Sequence, residues 1–474
     1  MHPSPTTRRL LATGLALTLV TAACGGRDDD SSGEAPAPTS AAPEPTADDT
    51  PADTADDTAA PDEGTAPVDD TATTSDGGGS DVPFEYTDPG ISDTAIVLGS
   101  TYPYSGSVSA FGSQGRGLEA YFDYINETDG GITFADGKTR KIHFITYDSA
   151  YEPQRGVENA KRLVEQDGIF AFFNPFGTPV AAAISPYAHE QGVPMVFVSS
   201  SADTWGDGEA APLATPCCIV ASTEGSIFGN WLLGERPDAK VAVLYQNDDF
   251  GKGVAEAFER TVEGSGIEIV ASESYQTTDA TVDSQVTNLH ASGADTVLLV
   301  ATPKYAAQAL TKIHELGWEP LRITQTSGSN RATVLEPVGL DIVEGLVSLT
   351  YFKDVTDPVW ADDPAVIEFK EHAPQYGADP DDPFMGTGWM SGQMGKALFE
   401  TLEVPTRDGL MEAVLNWDAD GVGLMLPGAR LHTEAPLDRY PIEAAIMMTF
   451  DGTNWVLHDE LVDAEGTTRP PSGG

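Results

Sequence analysis

Between Ala95 and Leu349, short apolar runs alternate with segments whose apolar residues recur at helical spacing. Ala95–Gly99 is an apolar run that ends in a Gly-Ser-rich loop. Leu118, Tyr121, Phe122 and Ile125 then mark a helix that Gly130-Gly131 closes. Lys141–Tyr147 reads as a strand, and Val157, Ala160, Leu163 and Val164 mark the next helix. Ile169–Phe173 and Pro194–Val198 are strands on either side of a helical stretch at Ala181–Glu190. After Pro216 the rhythm restarts. Strands are predicted at Lys240–Tyr245, Glu268–Ala271, Thr296–Val300, Arg322–Gln325 and Glu344–Leu349. Helices are predicted around Val254–Val262, Val282–Leu289 and Ala306–Ile313. Apolar strands alternating with helices argue for parallel sheets covered on both faces. Two such series predict two similar lobes. Ligands of such sheets bind beyond the carboxyl ends of the strands, which here means a cleft between the lobes.

The amino terminus follows a different pattern. Arg8-Arg9 precede a short apolar run, Leu10 to Val20, which small residues and Cys24 follow. Charge, apolar core and small residues in that order read as a secretory signal peptide over residues 1–23. The run is shorter than the roughly 20 residues a membrane span takes. Ala22-Ala23-Cys24 resembles the lipobox of bacterial lipoproteins, although Thr21 departs from the usual pattern. That resemblance implies a diacylated Cys24 and a protein tethered outside the cell; the alternative is an ordinary secreted protein. Sec and twin-arginine export both remain open for Arg8-Arg9.

Residues 24–83 are dominated by Asp, Glu, Pro, Thr, Ala, Ser and Gly. Such a segment buries too little apolar surface to offset its ordering entropy and is expected to be a disordered, extended stalk. The net charge of the chain is −49, which argues against nucleic acid or anionic lipid as a partner of the folded body. The body is expected over residues 84–474. Its lobe one is expected at about 91–214 and 351–418, and lobe two at about 215–350 and 421–465. Besides Cys24 only Cys217 and Cys218 occur, so no disulfide framework holds the fold. In an oxidising compartment those two either form a strained vicinal disulfide or remain two buried free thiols.

The chemistry-bearing motifs are mostly missing. There is no Gly-x-Ser-x-Gly elbow, no His-Glu-x-x-His pair and no phosphate loop, and the eight histidines are scattered. No metal, cofactor or catalytic residue is expected, and the chain is read as a binding protein rather than an enzyme.

An ordered set of segments resembles the branched-chain amino-acid-binding family of periplasmic solute-binding proteins. Ile91–Gly99 is similar to its opening strand, and Tyr104-Ser105-Gly106 with Phe111-Gly112 to its first ligand loop. Ile125-Asn126 with Gly130-Gly131-Ile132 and Asn247–Gly253 are similar to two further signatures. The resemblance spans about Ile91 to Asp459. It implies an α/β protein of the type I periplasmic-binding-protein fold: two Rossmann-like lobes, a three-segment hinge and an interlobe ligand cleft. It also implies a monomer that delivers a small molecule to an ABC permease driven by a separate ATPase.

By position, the resemblance assigns ligand contact to Gly177 and Thr178, and to Ser199, Ser200 and Ser201. It adds Ser105, Phe111, Phe250, Thr302, Thr326 and Ser327, with Trp205 a weaker aromatic candidate. Hydroxyls and helix-start amides suit a carboxylate or carbonyl oxygen, although Ser and Thr also cap helices. The family often holds a ligand ammonium with a glutamate after a second-lobe strand. Here that loop reads Gln325-Thr326-Ser327-Gly328-Ser329-Asn330 and carries no acid. The expected solute is therefore an amino acid read through neutral acceptors, an amide or a small carboxylate. A ligand-sensing domain for a signalling receptor, or a secreted α/β enzyme, are the rival readings.

Overall fold

A computed structural model describes residues 86–464 and Thr468. The expected signal peptide, the expected lipid attachment at Cys24 and the expected acidic linker lie outside these residues. In chain order, the first series runs β1 (Ala95–Tyr102), α1 (Gly112–Thr128), β2 (Ile132–Thr133), β3 (Thr139–Asp148), α2 (Pro153–Glu165), β4 (Ala171–Phe173), α3 (Thr178–Glu190), β5 (Met195–Val198) and β6 (Ala214–Pro216). The second runs α4 (Ala221–Glu235), β7 (Lys240–Gln246), α5 (Asp249–Val262), β8 (Glu268–Tyr275), α6 (Asp283–Ala291), β9 (Thr296–Val300), α7 (Pro303–Glu315), β10 (Leu321–Thr324), α8 (Glu336–Val338) and β11 (Val347–Thr350).

Each series makes one sheet. The first has the order β2-β3-β1-β4-β5-β6, and only the pairing of β2 with β3 is antiparallel. The apolar runs explain the parallel pairing. β4 and β5 are buried along their whole length and need cover on both faces. In the second sheet β8, β7, β9, β10 and β11 are parallel neighbours. Two antiparallel strands from the end of the chain, β14 (Ala444–Phe450) and β15 (Trp455–Asp463), extend its edge.

Three helices return to the first lobe after β11: α9 (Pro364–His372), α10 (Pro383–Phe399) and α11 (Arg407–Leu415). Two glycines let α10 lie against α1. A Cβ on Gly388 would stand 1.9 Å from the Gln114 carbonyl oxygen, and one on Gly117 would stand 2.0 Å from that of Met385. Backbone meets backbone there, so any larger residue forces the helices apart.

The chain passes between the sheets three times. The first passage joins β6 to α4 and the second leaves β11 at Thr350. The third lies later than the expected boundary near residue 421. Strands β12 (Asp418–Asp420) and β13 (Arg430–His432) pair with each other, and the Thr433 amide bonds the Trp417 carbonyl at 2.9 Å. Arg439 then donates to the Ala214 carbonyl at 2.9 Å, and Tyr440 to that of Asp203 at 2.9 Å. Residues 421–440 thus stay with lobe one through bonds to distant partners, which no local periodicity announces.

Candidate functional site

The two sheets point the carboxyl ends of their strands at one cleft with about 870 Å³ of empty space, counting its open mouth. Every residue expected to touch ligand lines it except Ser105 and the weaker candidate Trp205. Ser105 sits exposed on a turn, where its hydroxyl donates to Asp148 Oδ2 at 2.6 Å and its amide to Oδ1 at 3.2 Å. A turn serine met a nearby carboxylate, so its hydroxyl is used there. Trp205 is buried in lobe one's core and is absent from the lining.

On the lobe-one side, β4 ends at Phe173 and the turn through Gly177 leads into α3. Gly177 has φ 97°, and a Cβ there would come within 2.5 Å of the Tyr151 ring, so only glycine fits. Its N–H is already committed to the Ser199 carbonyl at 3.0 Å, which removes it as a ligand donor. Thr178 opens α3, whose first N–H groups have no partner within the helix. Its hydroxyl pairs with that of Ser200 at 2.6 Å. Ser199 is held from behind by Gln114 Nε2 at 3.0 Å, and Gln114 also donates to Asn174 at 3.0 Å. Ser201 is different: the residue belongs to the cleft lining, and its hydroxyl is buried with no partner among the described residues. A buried hydroxyl without a partner costs free energy until something supplies one.

Lobe two contributes Phe250 at the start of α5, Thr302 after β9, and Gln325, Thr326 and Ser327 after β10. Thr302 is fixed by Tyr275, whose hydroxyl accepts the Thr302 amide at 3.0 Å and donates to Gln246 at 3.1 Å. Gln246 also reaches across the cleft to the Tyr151 hydroxyl at 3.4 Å. Behind the Gln325 loop lies an acid that the loop itself lacks. Glu224, on α4 and fully buried, accepts from the Thr326 amide at 3.0 Å and from Gln325 Nε2 at 2.8 Å. Burial pushes its carboxyl up to about 7 against these hydrogen bonds.

The lining residues include no Asp, Glu, Lys, Arg or His. Aromatic rings fill much of it. Phe111 packs against Phe176 at 4.8 Å and against Phe384 at 4.6 Å between ring centres, and Tyr351 and Phe352 follow the second passage. Phe384 begins α10 behind the cap Asp382 and Pro383, a pair that marks a helix start in the sequence. The cleft thus offers neutral hydrogen-bonding groups and an apolar body. The described residues include no cluster of three or more His, Cys, Asp or Glu that would hold a metal ion.

Cys217 and Cys218 also line the cleft, and both are free thiols. No vicinal bridge is present.

The periplasmic binding protein profile matches residues 95–449, the greater part of the chain. The chain belongs to that family. Its members are solute-binding proteins working outside the cytoplasm with ABC transporters, and the branched-chain amino-acid-binding resemblance is upheld by curated relatives. The Leu/Ile/Val-binding protein homolog 7 of Brucella abortus is 26% identical over 310 residues, covering 63% of this chain and 75% of its own. Among solved structures, a fatty acid ABC transporter substrate-binding protein from Thermomonospora curvata superposes with TM-score 0.67 at 19% identity, covering 81% of this chain and 97% of its own. An ABC transporter solute-binding protein from R. palustris, in complex with benzoate, superposes with TM-score 0.65 at 18% identity, covering 78% and 98%. These likenesses establish the two-lobe fold of the type I class. No helix among the described residues is long and apolar enough to cross a membrane.

Proposed function

We propose that this protein is the lipid-anchored binding component of an ABC importer, capturing a small solute that has an oxygen acceptor, an apolar body and no unpaired cation. It would hand that solute to a membrane permease driven by a separate ATPase, while Cys24 carries the lipid. The observation behind the solute chemistry is the partnerless Ser201 hydroxyl in a cleft lined by no charged side chain. On this reading Ser201 and Thr178 donate to a carboxylate or carbonyl oxygen, and the phenylalanines cover the rest. An ammonium group would find no facing acid, and burying it unpaired is costly. Glu224 does not supply that partner, because both its oxygens are engaged behind the loop. The benzoate complex and the fatty-acid-binding neighbour concern carboxylates without an ammonium group, which fits this reading.

A thermal-shift screen of benzoate, short fatty acids, aliphatic amides and valine tests it. Solute at 100 times its Kd adds about 2.7 kcal/mol of stability. For a hit, Ser201→Ala and Thr178→Ala each weaken binding by about 1–3 kcal/mol in calorimetry. Tight valine or leucine binding that neither substitution affects would overturn the assignment.

A further inference from the structure

Cys217 and Cys218 are consecutive and free, Cys217 buried and Cys218 half-buried, and both belong to the cleft lining. They occupy the first passage between the lobes, after β6 ends at Pro216 and before α4 starts at Ala221. The Cys217 amide is anchored to the Val198 carbonyl at 3.1 Å, directly before the serine loop. The Cys218 thiol, then Ser199 and Asn174, hold Cys217 below the usual thiol range despite its burial. Hydrogen bonding to Cys217 and burial push Cys218 well above that range. Cys217 is thus the more readily ionised sulfur, with a protonated neighbour beside it. A nucleophilic thiol next to a resolving thiol is the equipment of disulfide exchange.

We propose that Cys217 and Cys218 form a thiol–disulfide exchange site opening into the ligand cleft, with low-molecular-weight disulfides as its substrates. The Cys217 thiolate attacks one sulfur of the small disulfide. A mixed disulfide forms, the small S–S bond breaks, and one small thiolate leaves and takes up the Cys217 proton. The Cys218 sulfur then attacks Cys217, closing the vicinal disulfide and expelling the second small thiol with the Cys218 proton. Two protein thiols are oxidised and one disulfide is reduced to two thiols, so electrons and protons balance. Adjacent Cα atoms stand about 3.8 Å apart, below the roughly 4.4–6.8 Å that disulfides favour. The closed ring is strained, and strained disulfides are the easily reduced ones. The pair therefore reports the redox poise around the protein from within its solute cleft.

The full chain carrying Cys24→Ala, so that only this pair reports, is reduced, freed of reductant and incubated folded with oxidised glutathione. Intact mass is then followed. The expected product has lost two hydrogen atoms and keeps no glutathione, and dithiothreitol restores the starting mass. With Cys218→Ala added, the reaction stops at a lasting glutathione adduct on Cys217. With Cys217→Ala instead, adduct formation slows. Circular dichroism confirms that each variant is folded. Thiols that react only after urea unfolding, or a parent protein that accumulates adduct without closing the ring, would overturn the proposal. Because no solute is needed, this readout stands apart from the identity of the transported molecule.

Discussion

Replacing Glu224 by Gln isolates the cost of a buried carboxylate beneath a ligand loop. Burial raises this carboxyl from an ordinary 4.5 to about 7. Unfolded, Glu224 releases its proton near 4.5; folded, it keeps it until about 7. Within that window the folded state holds the extra proton, so stability falls as pH rises and the full loss is present above it. At about 1.36 kcal/mol per pH unit the loss comes to about 3 kcal/mol. A glutamine never ionises. Its oxygen can keep the 3.0 Å bond from Thr326, but its amino group would face Gln325 Nε2, whose own oxygen already accepts the Ser327 amide at 2.8 Å. That donor clash costs about 1 kcal/mol and does not depend on pH. Urea unfolding of both proteins, in steps from pH 4 to 8.5, measures the difference between them. The difference should move by about 3 kcal/mol in favour of Glu224→Gln between the two ends of the series. A constant difference would show that Glu224 titrates normally and that its burial carries no electrostatic cost.

Two further substitutions probe the fold and the anchor. Gly388→Ala brings a Cβ to 1.9 Å from the Gln114 carbonyl, so it should destabilise the protein by about 1–3 kcal/mol and lower the thermal midpoint; an unchanged midpoint would refute the close crossing of α1 and α10. Cys24→Ala should move the protein from the membrane to the soluble fraction and abolish labelling by a radioactive fatty acid, since two acyl chains hold a protein durably at a bilayer.

The alternating series was legible because each strand and helix carries its own period. β7 spans Lys240–Gln246 against an expected Lys240–Tyr245, and β9 covers Thr296–Val300 as read. The last third was illegible for a physical reason. Helix α10 reads PFMGTGWMSGQMGKALF and is buried on nearly every side, so it shows no polar face to set a period. β14 and β15 join a sheet whose other strands lie far upstream, which only tertiary pairing decides. Serine and threonine loops could be placed at the cleft because they directly follow strands. Glu224 could not, since its partners lie about a hundred residues away and nothing near it in α4 hints at them. The passage at residues 421–440 depends likewise on Arg439 and Tyr440 finding lobe-one carbonyls.

The cleft lining carries no charged side chain, while the whole chain has a net charge of −49; for the carboxylate solute proposed above, that mismatch would slow arrival. A carboxylate diffusing in meets long-range repulsion, which physiological salt damps over about 8 Å. Once seated among neutral hydroxyls and aromatic rings, it feels little of the ionic atmosphere. Added salt therefore speeds capture and leaves release nearly unchanged, so occupancy rises with ionic strength. A site built on arginine or lysine would behave in the opposite way. For the carboxylate proposed above, capture would thus favour saline surroundings over dilute water.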